Sequence, residues 1–154
     1  VHGYIMGEHG DSEFSVWSHL TFGGERMSEF MEHHPEVTQA DLDKIFVSVR
    51  DAAYDIIEKK GATFYGIAAA LARITKAIFD DENAIITLSA YMQGQYGLDD
   101  IYIGTPAVIN RGGLKHIIEL PLNETEQAAM SKSGKELKNL ADRAFKENGI
   151  ETRQ

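Results

Sequence analysis

The sequence predicts an α+β fold, antiparallel strands with long helices, and three observations carry that prediction. Apolar residues recur every three to four positions over Leu42 to Ile57, Phe64 to Ile78 and Met130 to Phe145, the period of helices with one buried face. β-favouring runs gather near the N-terminus and again between Ala84 and Leu120, where glycine-bearing turns separate them. Strands and helices are thus segregated along the chain, which argues against a doubly wound parallel sheet.

Val1 to Met6 reads as a strand that stops at Gly7, and Gly7 to Ser12 as a glycine-punctuated polar loop. Phe14 to Phe22 is rich in aromatic and β-favouring residues and predicts a second strand, turned at Gly23-Gly24. Thr38, followed three residues later by Asp41, has the form of a capping box and opens a long amphipathic helix. That helix ends at Lys59-Lys60-Gly61, where two cations meet the negative helix end and glycine can turn left-handed. A second helix runs from Phe64 to Ile78; Ala69, Ala70, Ala72 and Ala77 make its other faces small and apolar, so it is expected to be buried. Ala84 to Met92, Ile101 to Ile103 with Ala107 to Ile109, and Leu114 to Leu120 have the spacing of an antiparallel meander. Asn123 as N-cap with Glu126 at the third position starts a last helix that stops at Gly149.

The 154 residues, 43% hydrophobic and 25% charged, suit one domain with a proper core and exclude disorder and low-complexity readings. No apolar run approaches the roughly 18 residues of a membrane span, so no membrane partner is expected. With 24 acidic against 15 basic residues the chain repels phosphate backbones, which excludes nucleic acid and favours small molecules or proteins as partners. The absence of cysteine rules out disulfides and thiolate zinc sites and fits a reducing, cytoplasmic setting. A chain that opens on Val1, already within a strand, reads as cut from a longer one.

The densest chemical signal is Gly7-Glu8-His9-Gly10-Asp11-Ser12. His9 follows a strand in a loop whose glycines let a ligand approach the backbone, and imidazole, with an unperturbed pKa of about 6.5, exchanges protons near neutrality. Spacing alone leaves open whether His9 is a general acid/base or merely a polar loop residue. Glu8, His9, Asp11 and Glu13 do not make a tetrahedral zinc set, and no other histidine has helical ligand spacing, so no metal is expected. No G-x-S-x-G occurs, which removes the Ser-His-Asp hydrolases. His33-His34 before Pro35 reads as a solvated loop, and Trp17 as a core or interface aromatic. No G-x-G-x-x-G follows a strand, so there is no Rossmann domain in this chain and any dinucleotide must be held by something else.

Val1-His2-Gly3-Tyr4-Ile5-Met6 before the loop and Val16-Trp17-Ser18 after it resemble the C-terminal domain of bacterial L-lactate dehydrogenases, in the lactate/malate dehydrogenase superfamily. The resemblance continues through Asp51-Ala52-Ala53-Tyr54, Lys60 to Ala68, Tyr96-Gly97-Leu98 and Ile103 to Ile109, and so spans residues 1–154. It implies that His9 is the catalytic histidine that protonates the carbonyl oxygen of pyruvate while NADH delivers hydride, and takes the proton back from L-lactate. It further implies that Thr63 lines the substrate pocket and that Ile67 lies against the nicotinamide of NAD. His2 matches the histidine that, in allosteric members, binds fructose bisphosphate between subunits of a homotetramer. The family's NAD-binding domain, polarising arginine, carboxylate-gripping arginine and histidine-orienting aspartate would lie before Val1, so the chain alone is expected to be inactive. Malate dehydrogenases share the fold but commonly carry glycine at the position of Glu8, which favours lactate. A non-catalytic binding or assembly module is the remaining alternative, since Thr38 to Lys60 and Asn123 to Asn148 could equally serve subunit contacts.

Overall fold

The computed structural model describes residues 1–150. In chain order these form β1 (Ile5–Met6), β2 (Phe14–Ser15), β3 (Thr21–Phe22), β4 (Glu25–Arg26), α1 (Met27–His33), α2 (Gln39–Lys60), α3 (Tyr65–Phe79), β5 (Ala84–Gln93), β6 (Asp99–Asn110), β7 (Gly113–Ile117) and α4 (Glu124–Glu147). Antiparallel strands and long helices confirm the α+β class.

The meander is present as a sheet of order β5-β6-β7, with Ala84 opposite Ile109 and Ala107 opposite Ile117. Along β5 every second residue turns inward, ending on buried Ala90 and Met92, which is the period of a strand with one face covered. Gly104 and Pro106 do not interrupt β6: proline gives up only its own donor, and its carbonyl accepts from the Ile118 N–H at 2.8 Å. The main core lies between this sheet, the β1-β2 hairpin and α4, and contains Met6, Val16, Met92, Ile101, Ile103 and Met130. A smaller cluster, Leu20, Met27 and Leu42, takes in half-buried Trp17 and seats the start of α2.

The helix ends follow their local chemistry. Thr38 and Asp41 close a capping box on α2, and Asn123 accepts from the Glu126 N–H at 2.9 Å while Glu126 accepts from the Asn123 N–H at 3.0 Å. Gly61 ends α2 at φ 82°, with its N–H on the Ile57 carbonyl at 2.7 Å.

Four expectations need correction. The strand expected over Val1 to Met6 is confined to Ile5–Met6, with His2 held to Thr21 by an isolated antiparallel bridge. The run Phe14 to Phe22 is two short strands around a 3-10 turn at Trp17–His19, because Glu126 of α4 accepts from the Ser18 N–H at 3.0 Å and from its hydroxyl at 2.6 Å. His33 is not in a loop: it ends α1, a helix between Gly24 and Pro35 where the sequence promised none, and its ring lies 2.8 Å from Glu25. Most important for the site, α3 is not buried. Ala77 is fully enclosed, but Ile67 and Leu71 are 57% and 58% exposed, because only one edge of the helix meets the sheet.

Candidate active site

The loop after β1 is held by its backbone before any side chain is considered. Gly7 and Gly104 of β6 exchange two main-chain hydrogen bonds, 3.0 and 2.8 Å, at an approach so close that a Cβ on Gly104 would lie 2.6 Å from the Gly7 carbonyl oxygen. Gly7 adopts φ 100°, which turns the chain out of the strand. The Gly10 N–H then reaches back to the Glu8 carbonyl and the Glu13 N–H to that of Gly10, at 2.9 and 3.2 Å. His9 projects from this tight turn with its side chain 99% exposed and Nδ1 3.9 Å from Glu13 Oε2.

Charge around the loop is arranged asymmetrically. Burial pushes the Glu13 carboxyl above the usual carboxylate range, while the facing charges of His9 and Arg50 pull it back. Asp11 accepts from the Tyr54 hydroxyl of α2 at 2.8 Å, and that bond holds the phenol above its ordinary value. Among the described residues no three His, Asp or Glu side chains converge as a metal ligand set.

His9, Thr63 and Ile67 line one cleft of about 710 Å³ between the loop, the end of α2 and the start of α3. Thr63 is free to serve that cleft: the N-cap of α3 is Phe64, with no side-chain capping bond. Ile67 and Ala70 provide an apolar wall, and Lys59 and Lys60 also line the cleft. The Lys60 Nζ stands 4.8 Å from the centre of the Tyr65 ring and 5.4 Å from that of Phe64. An imidazole, a short hydroxyl, an apolar wall and cations together suit a small anionic substrate beside a flat apolar group. His2 does not line this cleft; it is exposed and paired through its backbone to Thr21.

Two contributors escaped the sequence reading. Lys59 and Lys60 were legible only as a helix stop, and the Tyr54 bond to Asp11 joins residues 43 positions apart with no motif to announce it.

Comparison with known proteins identifies the family and the fold. Residues 1–148 match the lactate/malate dehydrogenase, alpha/beta C-terminal domain. The chain is 63% identical over all of its 154 residues to L-lactate dehydrogenase of Latilactobacillus sakei and 61% identical to that of Lacticaseibacillus casei, spanning 47% of each relative's length. The structure superposes on minor L-lactate dehydrogenase from Enterococcus mundtii in the ligands-bound form with TM-score 0.88 at 43% identity, covering 92% of this chain and 45% of that one. The chain thus spans about half the length of the relatives it matches, and it belongs to the lactate/malate dehydrogenase C-terminal domain family.

Proposed function

We propose that this chain is the substrate-binding and proton-transferring half of a cytoplasmic, NAD-dependent L-lactate dehydrogenase that interconverts pyruvate and L-lactate. The observation that carries the proposal is that His9, from the loop after β1, shares one cleft with Thr63 and Ile67 of the α2–α3 junction, more than fifty positions away in sequence. The residues present fit one end of the cofactor: Ile67, exposed beside Ala70 and Phe64, offers an uncovered apolar wall to a flat ring. The chain has no glycine-rich phosphate cradle, so a nucleotide-binding domain holds the rest. When bound, the nicotinamide supplies or accepts the hydride.

The chain's own residues do the remainder. Protonated His9 gives its proton from Nε2 to the carbonyl oxygen that becomes the hydroxyl of lactate, and recovers it in reverse. Glu13 Oε2, 3.9 Å from Nδ1, is beyond hydrogen-bond distance and adds only a weak attraction to the charged ring, so the orienting of the imidazole is left to the family's aspartate. Thr63 limits the room for the substrate's alkyl end, and Ile67 keeps water from the transferred hydride. The name L-lactate dehydrogenase on the relatives above 60% identity supports lactate over malate as the hydroxy acid.

Assembly as a homotetramer and activation by fructose bisphosphate through His2 complete the reading. The uncovered apolar faces of α2 and α3, with Ile45, Val49 and Leu71 exposed, support burial against other chain segments, and His2 is accessible to an anion when protonated.

The test uses the full-length protein. His9→Asn should lower kcat for NADH oxidation by pyruvate by about 10²- to 10⁴-fold with NADH affinity unchanged. Wild-type kcat in that variant would remove His9 from the chemistry. His2→Gln should raise the fructose bisphosphate concentration needed for activation at mildly acidic pH, and equal activation constants would remove His2 from the effector site.

A further inference from the structure

Ser133 is a fully buried hydroxyl on α4, 125 positions from the loop it touches, and the reaction as described makes no use of it. Its Oγ accepts from the Glu8 N–H at 2.7 Å and lies 3.0 Å from Ser12 Oγ. Ser12 Oγ donates to Glu8 Oε2 at 2.6 Å. A carboxylate can only accept, so the Ser12 proton points to Glu8 and the Ser133 proton must point to Ser12. The three groups close a ring that starts at the Glu8 amide and returns to the Glu8 carboxylate, each hydroxyl both donating and accepting. Bonds so arranged polarise one another, and the ring has a single direction.

Its position is rigid on the α4 side. Ser133 and Gly134 are both buried, and a Cβ on Gly134 would lie 2.6 Å from Leu98 Cδ2, so this turn of α4 is pressed against the chain entering β6. A Cβ on Gly7 would in turn lie 2.9 Å from Ser133 Oγ. The imidazole of His9, by contrast, is almost wholly exposed, with Glu13 at 3.9 Å as its ionic neighbour. Its placement is therefore delivered through the backbone, and the residue immediately before it is gripped at both main chain and side chain.

We propose that Ser133 is a positioning residue for His9, acting through Glu8 and Ser12 to fix the backbone from which the imidazole is presented. The assignment rests on the dehydrogenase reading above. It also gives Glu8 a structural role that a glycine could not fill.

In the full-length enzyme Ser133→Ala should lower kcat with pyruvate by about tenfold or more, since misplacements near 1 Å cost up to about a hundredfold, while the NADH dissociation constant stays put. Amide exchange at Glu8 should accelerate by about tenfold in the same variant, a readout independent of turnover. Ser12→Ala, which leaves the Glu8 N–H bond to Ser133 in place, should lower kcat no more than Ser133→Ala, and the double variant should fall no further than Ser133→Ala, because both break one ring. Glu8→Gln, whose amide oxygen still accepts from Ser12, should recover most of the kcat that Glu8→Ala loses. Met130→Leu, buried one turn earlier on α4 and outside the ring, should shift thermal stability without shifting kcat. Wild-type kcat or unaltered Glu8 exchange in Ser133→Ala overturns the assignment, as does additivity of the two serine variants. A wild type with no turnover on pyruvate overturns the dehydrogenase reading and this one with it.

Discussion

Gly104→Ala and Gly66→Ala are the same chemical change and should have opposite signs. At Gly104 the added methyl would lie 2.6 Å from the Gly7 carbonyl oxygen and 3.7 Å from the Gly7 carbonyl carbon and nitrogen. All three are backbone, so ordinary contact requires the two segments to part by about 0.8 Å. That separation loosens both bonds of the bridge, each worth about 0.5–1.5 kcal/mol net, for a loss of about 1–3 kcal/mol. Gly66 lies in the first turn of α3, and beyond its chain neighbours and its own helix backbone no atom comes inside 4 Å of its would-be Cβ, so alanine there should stabilise by about 0.5–1 kcal/mol through helix propensity. The assay is urea unfolding of this chain followed by circular dichroism, dilute enough to stay monomeric, with midpoints compared at equal slope. A Gly104→Ala midpoint at or above wild type, or shifts of the same sign in both variants, would refute the close-approach argument.

The Asp41 carboxyl is held down at about 2 by its hydrogen bond from the Thr38 hydroxyl and then by Lys44, against an ordinary value of 3.8. A depressed carboxylate stabilises the fold above its unfolded value and loses that contribution as pH falls through the folded one. The urea midpoint of wild type should thus drop more steeply than that of Asp41→Asn between about pH 4 and about pH 2, and parallel curves would refute this. Thr63→Gly in the full-length enzyme should relax discrimination against bulkier 2-oxo acids and leave NADH affinity nearly intact; unchanged relative kcat/KM across substrates would take Thr63 out of the pocket. Residues 1–154 alone should fold yet show no NADH oxidation with pyruvate, and should self-associate through exposed Ile45, Ile57 and Leu71. Circular dichroism, light scattering and a turnover assay check this together, and turnover abolished by His9→Ala would show that the machinery is complete without a second domain.

What could be read in the sequence is what a single turn of chain decides. The caps at Thr38 and Asn123 and the stop at Gly61 depend on groups within four residues, and they stand where the letters place them. The strand over Ala84 to Met92 was equally legible, since its β-favouring run is bounded by turn residues close by in sequence. Burial was not, because a hydrophobic period names a face without naming what covers it. The alanine-rich α3 looked enclosed, whereas its edge at Ala77 alone is, and its remaining apolar surface forms a cleft wall at Ile67. The break at Trp17–His19 was hidden for a related reason: β-favouring letters were overruled by a carboxylate 108 positions away. The site divides along the same line. His9 announces itself between two glycines, and resemblance adds Thr63 and Ile67, but the ring that holds Glu8 runs through a serine on the far side of the chain whose neighbours in sequence say nothing of a loop. Catalytic groups are chosen for chemistry, which residue type reveals. The groups that aim them are chosen for location, so a fold is needed before Ser133 can be told from any other helical serine.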